Sequence, residues 1–159
     1  MEAARKIRPG VIGGVLDAVY RDAAYCVDDP TGRFVLRIGR SSPEADALTA
    51  AHEVRTWAFI TAYNPGSVPA PAEQNQTRQR ELEQAVTESG HRFCRGEGRA
   101  DDGAWEPEPS LLVLGMGEEE AAALARRFNQ AAIVFGERGG PARLVWTVVE
   151  SGCIRPIEG

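Results

Sequence analysis

The sequence contains little cysteine, little histidine and almost no lysine. Its 159 residues include three Cys and two His, and Lys6 is the one lysine among 18 basic residues. Cys26, Cys94 and Cys153 are odd in number and show no C-x-x-C spacing. Disulfide frameworks and structural zinc sites need paired cysteines or histidines. These absences exclude a disulfide scaffold and indicate a reducing compartment, which we expect to be the cytoplasm.

Long apolar runs and an excess of basic charge are absent as well. A membrane-spanning helix needs about 18 or more apolar residues in a row, whereas apolar segments such as 111–114 and 144–149 are far shorter. Acidic residues outnumber basic ones by 23 to 18, which gives a net charge of -5. A protein that coats nucleic acid normally carries a basic stripe. We therefore expect neither a membrane protein nor broad binding to nucleic acid.

The composition that remains is that of an ordinary globular domain. Hydrophobic residues make up 43% of the chain and charged residues 26%, close to the average for soluble domains. A chain of this length can bury enough surface for one core, but not for two. We expect a single domain over 1–150 and a flexible C-terminal tail at 151–159, where the sequence shows no periodicity.

Apolar spacing predicts an α+β domain, with about four helices packed on a mixed, mainly antiparallel sheet. The predicted helices cover 9–20, 42–52, 72–89 and 117–128. The predicted strands cover 23–27, 33–38, 56–63, 91–95, 111–114, 131–135 and 144–149. Segment 56–63, TWAFITAY, is apolar on both faces, which is typical of a central strand. Segment 91–95 is expected to be a weak edge strand, followed by a Gly- and Asp-rich loop.

A group of polar residues follows the predicted central strand. Asn64 and Ser67 belong to a sharp NPGS turn, and the helix at 72–89 begins soon after it. Asn75 and Arg78 share one helix face with the apolar Leu82 and Val86, so we expect both polar residues on the inward side of that helix. A helix start also offers unpaired N–H groups to an anion. The pattern predicts a polar pocket for a small anionic or nucleotide-like ligand.

Three further residues are predicted to belong to this ligand site. Arg37 lies on the polar face of an early strand and reaches the pocket if the strands are neighbours. Trp105 and Glu108 lie in the segment WEPEPS, where two prolines stiffen the backbone. A structural alternative stays open, in which Asn64 caps the turn, Arg78 pairs with a carboxylate such as Glu108, and Trp105 covers an edge of the core.

Two other classes of function also stay open. A carboxylate acid or base at Glu97, Glu106 or Glu108 would make the same site that of a hydrolase-type enzyme. Alternatively, Trp57, Trp105 or an exposed sheet edge would bind a protein partner. We expect no cofactor and no metal, since neither histidine has further ligands at a suitable spacing and no G-x-G-x-x-G motif is present.

Four segments, in this order and spacing, carry a family resemblance. They are AFITAYNPGS (58–67), NQTR (75–78), GEGRADDGAWEPEPSLLVLG (96–115) and ARRFNQAAIVF (125–135). Together they resemble a family of small bacterial proteins classed as a domain of unknown function, over about residues 15–149. The resemblance implies a compact bacterial cytoplasmic domain and no particular activity. Asn129 departs from the family pattern by replacing a glycine, which is a mild change if it caps the helix in a left-handed conformation.

Overall fold

The computed structural model describes residues 16–147 of the chain. The α-helices in this range are α1 Asp17–Asp22, α2 Pro43–Ala51, α3 Ala72–Glu88 and α4 Glu118–Arg127. The strands are β1 Ala24–Asp29, β2 Gly32–Leu36, β3 Thr56–Ile60, β4 Arg92–Arg99, β5 Glu108–Leu114, β6 Ala132–Glu137 and β7 Arg143–Trp146. The predicted α+β class and the single domain are confirmed. The beginning of the predicted helix 9–20, the end of the predicted strand 144–149 and the tail 151–159 lie outside the described residues.

All seven strands belong to one antiparallel sheet with the order β2-β1-β4-β5-β3-β6-β7. β3 lies between β5 and β6 and is buried along most of its length, so the predicted central strand is confirmed. The sheet curls until its two ends meet. Ile38, after β2, pairs in parallel with Ala142, before β7, and the N–H of Gly39 donates to the carbonyl of Ala142 at 2.8 Å.

Each face of the curled sheet carries a buried apolar cluster, because successive residues of a strand point to opposite faces. Ala58 and Ile60 belong to the cluster that also contains residues of α3 and α4. Trp57 and Phe59 belong to the other cluster, to which α2 contributes Ala45. Within residues 16–147, no helix has the length and apolar character needed to cross a membrane.

Strand β4 is longer than the predicted edge strand. It pairs with β5 over 92–98 and with β1 over 96–99. The predicted segment 91–95 thus has a described strand on one side only, as expected of an edge, whereas the continuation of β4 lies inside the sheet. The strand also continues to Arg99 through residues predicted to form a loop. Gly96 explains this extension, since a Cβ at that position would lie 2.0 Å from the carbonyl oxygen of Cys26 on β1. Only a residue without a side chain permits so close an approach of two backbones.

Local capping signals define two of the helix ends. Ser42 accepts a hydrogen bond from the N–H of Ala45 at 3.0 Å and so caps the start of α2. At the end of α4, Asn129 adopts a left-handed conformation with φ of 56°. The N–H of Gln130 then donates to the carbonyl of Ala125 at 2.9 Å, as in a Schellman motif. Asn129 thus takes the conformation for which a glycine is usually required.

Candidate ligand-binding site

A cavity of about 460 Å³ lies between α1, the turn after β3, the start of α3 and the loop before β5. Its apolar walls include Leu16, Val19 and Pro69, and its aromatic walls are Tyr20, Tyr63 and Trp105. A smaller space of about 60 Å³ shares Tyr20, Trp105, Glu108 and Gln130 with it and is bordered by the strands. The cavity therefore combines a mostly apolar surface with a few polar groups.

Five of the seven residues predicted for the ligand site line this cavity. They are Asn64, Ser67, Asn75, Trp105 and Glu108. Although Asn64 and Asn75 are 11 residues apart in sequence, they are hydrogen-bonded to each other. The NPGS turn and the first turns of α3 hence face each other across one end of the cavity.

Arg37 and Arg78 are placed elsewhere. The guanidinium of Arg37 makes two hydrogen bonds of 2.9 Å to the carboxylate of Asp101. The guanidinium carbon of Arg78 lies 5.9 Å from the centre of the Phe128 ring, and its buried Nε has no hydrogen-bond partner among the described residues. The alternative in which Arg78 pairs with Glu108 is wrong, because the described partner of Glu108 is Asn64.

The two asparagines hold the turn after β3 in place. Asn75 is 4% exposed, and its Oδ1 accepts a hydrogen bond from the backbone N–H of Asn64 at 2.8 Å. Its Nδ2 donates to Asn64 Oδ1 at 2.9 Å and to the carbonyl of Ala70 at 3.2 Å. Asn64 Oδ1 also accepts from the N–H of Ala70 at 3.0 Å. This network supports Asn64 in a left-handed conformation with φ of 49°, which asparagine tolerates better than most residues.

Glu108 places a carboxyl group at the wall of the cavity. Asn64 Nδ2 donates to Glu108 Oε2 at 2.8 Å. Burial raises the pKa of the Glu108 carboxyl above its ordinary range, and the hydrogen bond from Asn64 opposes that shift. Glu108 Oε1 accepts no hydrogen bond from any residue in the described part of the chain. One oxygen is therefore fixed by the protein, and the other remains available at a cavity wall.

Tyr20 and Gln130 line the cavity and were not among the predicted site residues. The Tyr20 hydroxyl and Ser67 Oγ are 3.0 Å apart, and burial raises the pKa of Tyr20. Gln130 Nε2 donates to the carbonyls of Tyr63 at 3.0 Å and Phe128 at 3.3 Å. Both residues reach the cavity through the packing of distant segments, which no local spacing reveals. The feature of the sequence that could have indicated Gln130 is its position shortly after the predicted end of the helix at 117–128.

Of the residues predicted for the other functions, Trp105, Glu106 and Glu108 line the cavity, whereas Glu97 and Trp57 do not. Glu97 lies on β4, where its carboxylate is 3.8 Å from Arg33, and it does not line the cavity. Trp57 is 2% exposed, so its predicted role in binding a protein partner is wrong. Among residues 16–147, no group of three or more His, Cys, Asp or Glu is arranged to hold a metal ion.

Comparison with known families gives a match to residues 60–133. The matching family is Protein of unknown function (DUF3293). This confirms the predicted resemblance to a domain of unknown function, over a shorter segment than 15–149. The DUF3293 segment contains every described cavity-lining residue except Leu16, Val19 and Tyr20, which are contributed by the N-terminal side of the fold. No curated protein and no solved structure matches the chain.

Proposed function

We propose that this chain binds a small molecule in the cavity beside Glu108. The cavity volume of about 460 Å³ falls within the roughly 300–1,000 Å³ of small-molecule sites. The observation that carries the proposal is a largely buried carboxyl group at the cavity wall, with one oxygen held by Asn64 and the other free of described partners. Burying a carboxyl group costs folding free energy, so a function for it is the simplest reason to keep it there.

The charge of the proposed ligand differs from the sequence prediction. An anionic ligand was expected because the start of the helix at 72–89 offers unpaired N–H groups and because Arg37 and Arg78 were expected at the pocket. The described lining residues instead include two glutamates and no Lys, Arg or His. The proposal therefore keeps a small ligand and drops the requirement for a negative charge. The bacterial origin and the cytoplasmic location stay predictions from the sequence.

A pair of variants tests the proposed function. Ala70 lines the cavity, and Ala70→Phe is expected to fill part of it. Val68 is 60% exposed and is not a lining residue, so Val68→Phe is the matched control. A library of central metabolites is screened by thermal shift against both variants and the unmodified chain. We expect ligands that stabilise the chain and Val68→Phe, but not Ala70→Phe; equal stabilisation of all three proteins would place the binding outside this cavity.

An enzyme with Glu108 as a general acid or base is the second candidate function. It is favoured by the burial that raises the pKa of this carboxyl, because a carboxyl with a raised pKa exchanges protons closer to neutral pH. Carbon-13 NMR titration of the glutamate carboxyls tests it. The Glu108 carboxyl is expected to titrate above the ordinary pKa range of glutamate. Titration of Glu108 within that ordinary range would remove the reason for an acid or base role.

A further inference from the structure

The cavity wall contains hydrogen-bond acceptors that no described residue uses. Glu108 Oε1 is one of them. Gln130 supplies another, because its Nε2 faces the carbonyls of Tyr63 and Phe128 and must therefore be the donor end of the amide. Gln130 Oε1 accepts no hydrogen bond from any residue within 16–147. Both side chains line the cavity.

The side-chain donors at the same wall are mostly engaged by the protein itself. Asn75 Nδ2 uses both of its hydrogens, one toward Asn64 and one toward Ala70. Asn64 Nδ2 already donates to Glu108. The hydroxyls of Tyr20 and Ser67 share one hydrogen bond, which leaves a single hydroxyl hydrogen between them. Among the side chains of the wall, the unused hydrogen-bonding capacity is therefore mainly that of an acceptor.

The charges and the aromatic rings of the lining residues both favour a cationic ligand. Glu106 and Glu108 line the cavity, and the described lining residues include no basic side chain. Tyr20, Tyr63 and Trp105 also line it, and the face of an aromatic ring attracts a cation. Among these side chains, an anion would meet two carboxylates and the Gln130 amide oxygen, whereas a cation would meet groups of opposite polarity.

We propose that the ligand of this cavity carries a cationic nitrogen group, such as an amine, amidine or guanidine, on an apolar body. This inference depends on the proposed function, since it names the class of ligand for the same cavity. The nitrogen group donates to Glu108 Oε1, and the apolar body packs against the aromatic and proline side chains. Asn64 is then a positioning residue, because it fixes the carboxylate without needing to touch the ligand.

Three probes of nearly the same shape and different charge test the ligand class. Benzamidinium is cationic, benzamide is neutral and benzoate is anionic. Each is titrated into the full chain at neutral pH and monitored by NMR. Benzamidinium is expected to bind at least about tenfold more tightly than benzamide, which corresponds to about 1.4 kcal/mol, and benzoate is expected to bind most weakly. Equal affinities for all three probes, or a preference for benzoate, would overturn the proposed ligand class.

Two charge-neutralising variants assign the preference to Glu108. Glu108→Gln keeps an oxygen that can accept from Asn64 and removes the charge, so the preference for benzamidinium over benzamide is expected to disappear. Glu119→Gln removes the same charge from an exposed residue of α4 and is expected to keep the preference. If Glu108→Gln retained the full preference, Glu108 would not be the group that recognises the cation. The probe series on the unmodified chain needs no variant and is informative even if Glu108→Gln does not fold.

The Ala70→Phe variant separates the two proposals. If the three probes bind equally and Ala70→Phe abolishes their binding, the ligand class is wrong while the cavity remains a binding site. If the probes bind and Ala70→Phe leaves their binding unchanged, the probes occupy another place and both proposals lose their basis. Selective loss of benzamidinium binding in Ala70→Phe, with Val68→Phe unaffected, would support both.

Discussion

Replacing Asn75 by alanine tests whether the asparagine pair holds the cavity-forming turn. Asn75 is 4% exposed and makes three hydrogen bonds, to the backbone N–H and the side-chain oxygen of Asn64 and to the carbonyl of Ala70. Each such bond contributes about 1 kcal/mol net to stability. Asn75→Ala is therefore expected to lower the free energy of unfolding by about 3 kcal/mol. For a chain of this size that loss lowers Tm by about 6–12 °C.

Urea denaturation followed by circular dichroism measures this loss. Gln76→Ala is the matched control, because Gln76 is the next residue of the same helix and is exposed. A surface change of this kind is expected to alter the free energy of unfolding by no more than about 0.5 kcal/mol. A loss in Asn75→Ala as small as in the control would show that the hydrogen bonds to Asn64 and Ala70 do not stabilise the turn, and the reasoning would be refuted.

Three more predictions follow from Glu108, Arg37 and Gly96. Burial raises the pKa of Glu108 in the folded chain, so its contribution to stability is fully present below the ordinary carboxyl pKa and is lost as pH rises through the raised value. Glu108→Gln should consequently gain stability relative to the unmodified chain between about pH 4 and pH 8 in urea titrations; a difference that stays constant with pH would contradict this. Arg37→Ala should speed hydrogen exchange in the loop at 100–107, because it removes the ion pair with Asp101 that restrains this loop. Arg33→Ala removes a different surface ion pair and should leave exchange in this loop unchanged. Gly96→Ala should destabilise the fold by more than about 2 kcal/mol through backbone overlap, as measured by thermal unfolding. Gly98→Ala should be far milder, because its Cβ would lie 3.7 Å from the Tyr25 side chain.

Local patterns predicted the parts of the site that depend on neighbouring residues in the chain. Asn64 and Asn75 were found because a turn signal and a helical spacing determine where each one lies. Strand β3 was found because a fully buried strand is apolar on both faces. The start of α2 was marked by Ser42 and Pro43, whose capping role needs no tertiary contact.

The predictions that failed concern contacts between residues that are distant in the sequence. An arginine on an exposed face can pair with any carboxylate within reach, and Arg37 pairs with Asp101, 64 residues away in sequence. Tyr20 and Gln130 join the cavity only because α1 and the end of α4 pack beside the turn after β3. Gly96 lowered the predicted strand propensity of β4, although its lack of a side chain is what permits the pairing with β1.

A crystallographic fragment screen on the full chain tests the central claim most directly. The claim is that the cavity beside Glu108 is a small-molecule site. We predict that bound fragments concentrate in this cavity, with nitrogen groups within hydrogen-bond distance of Glu108 and rings against Trp105. Fragments that bind elsewhere on the surface while none enters this cavity would contradict the account.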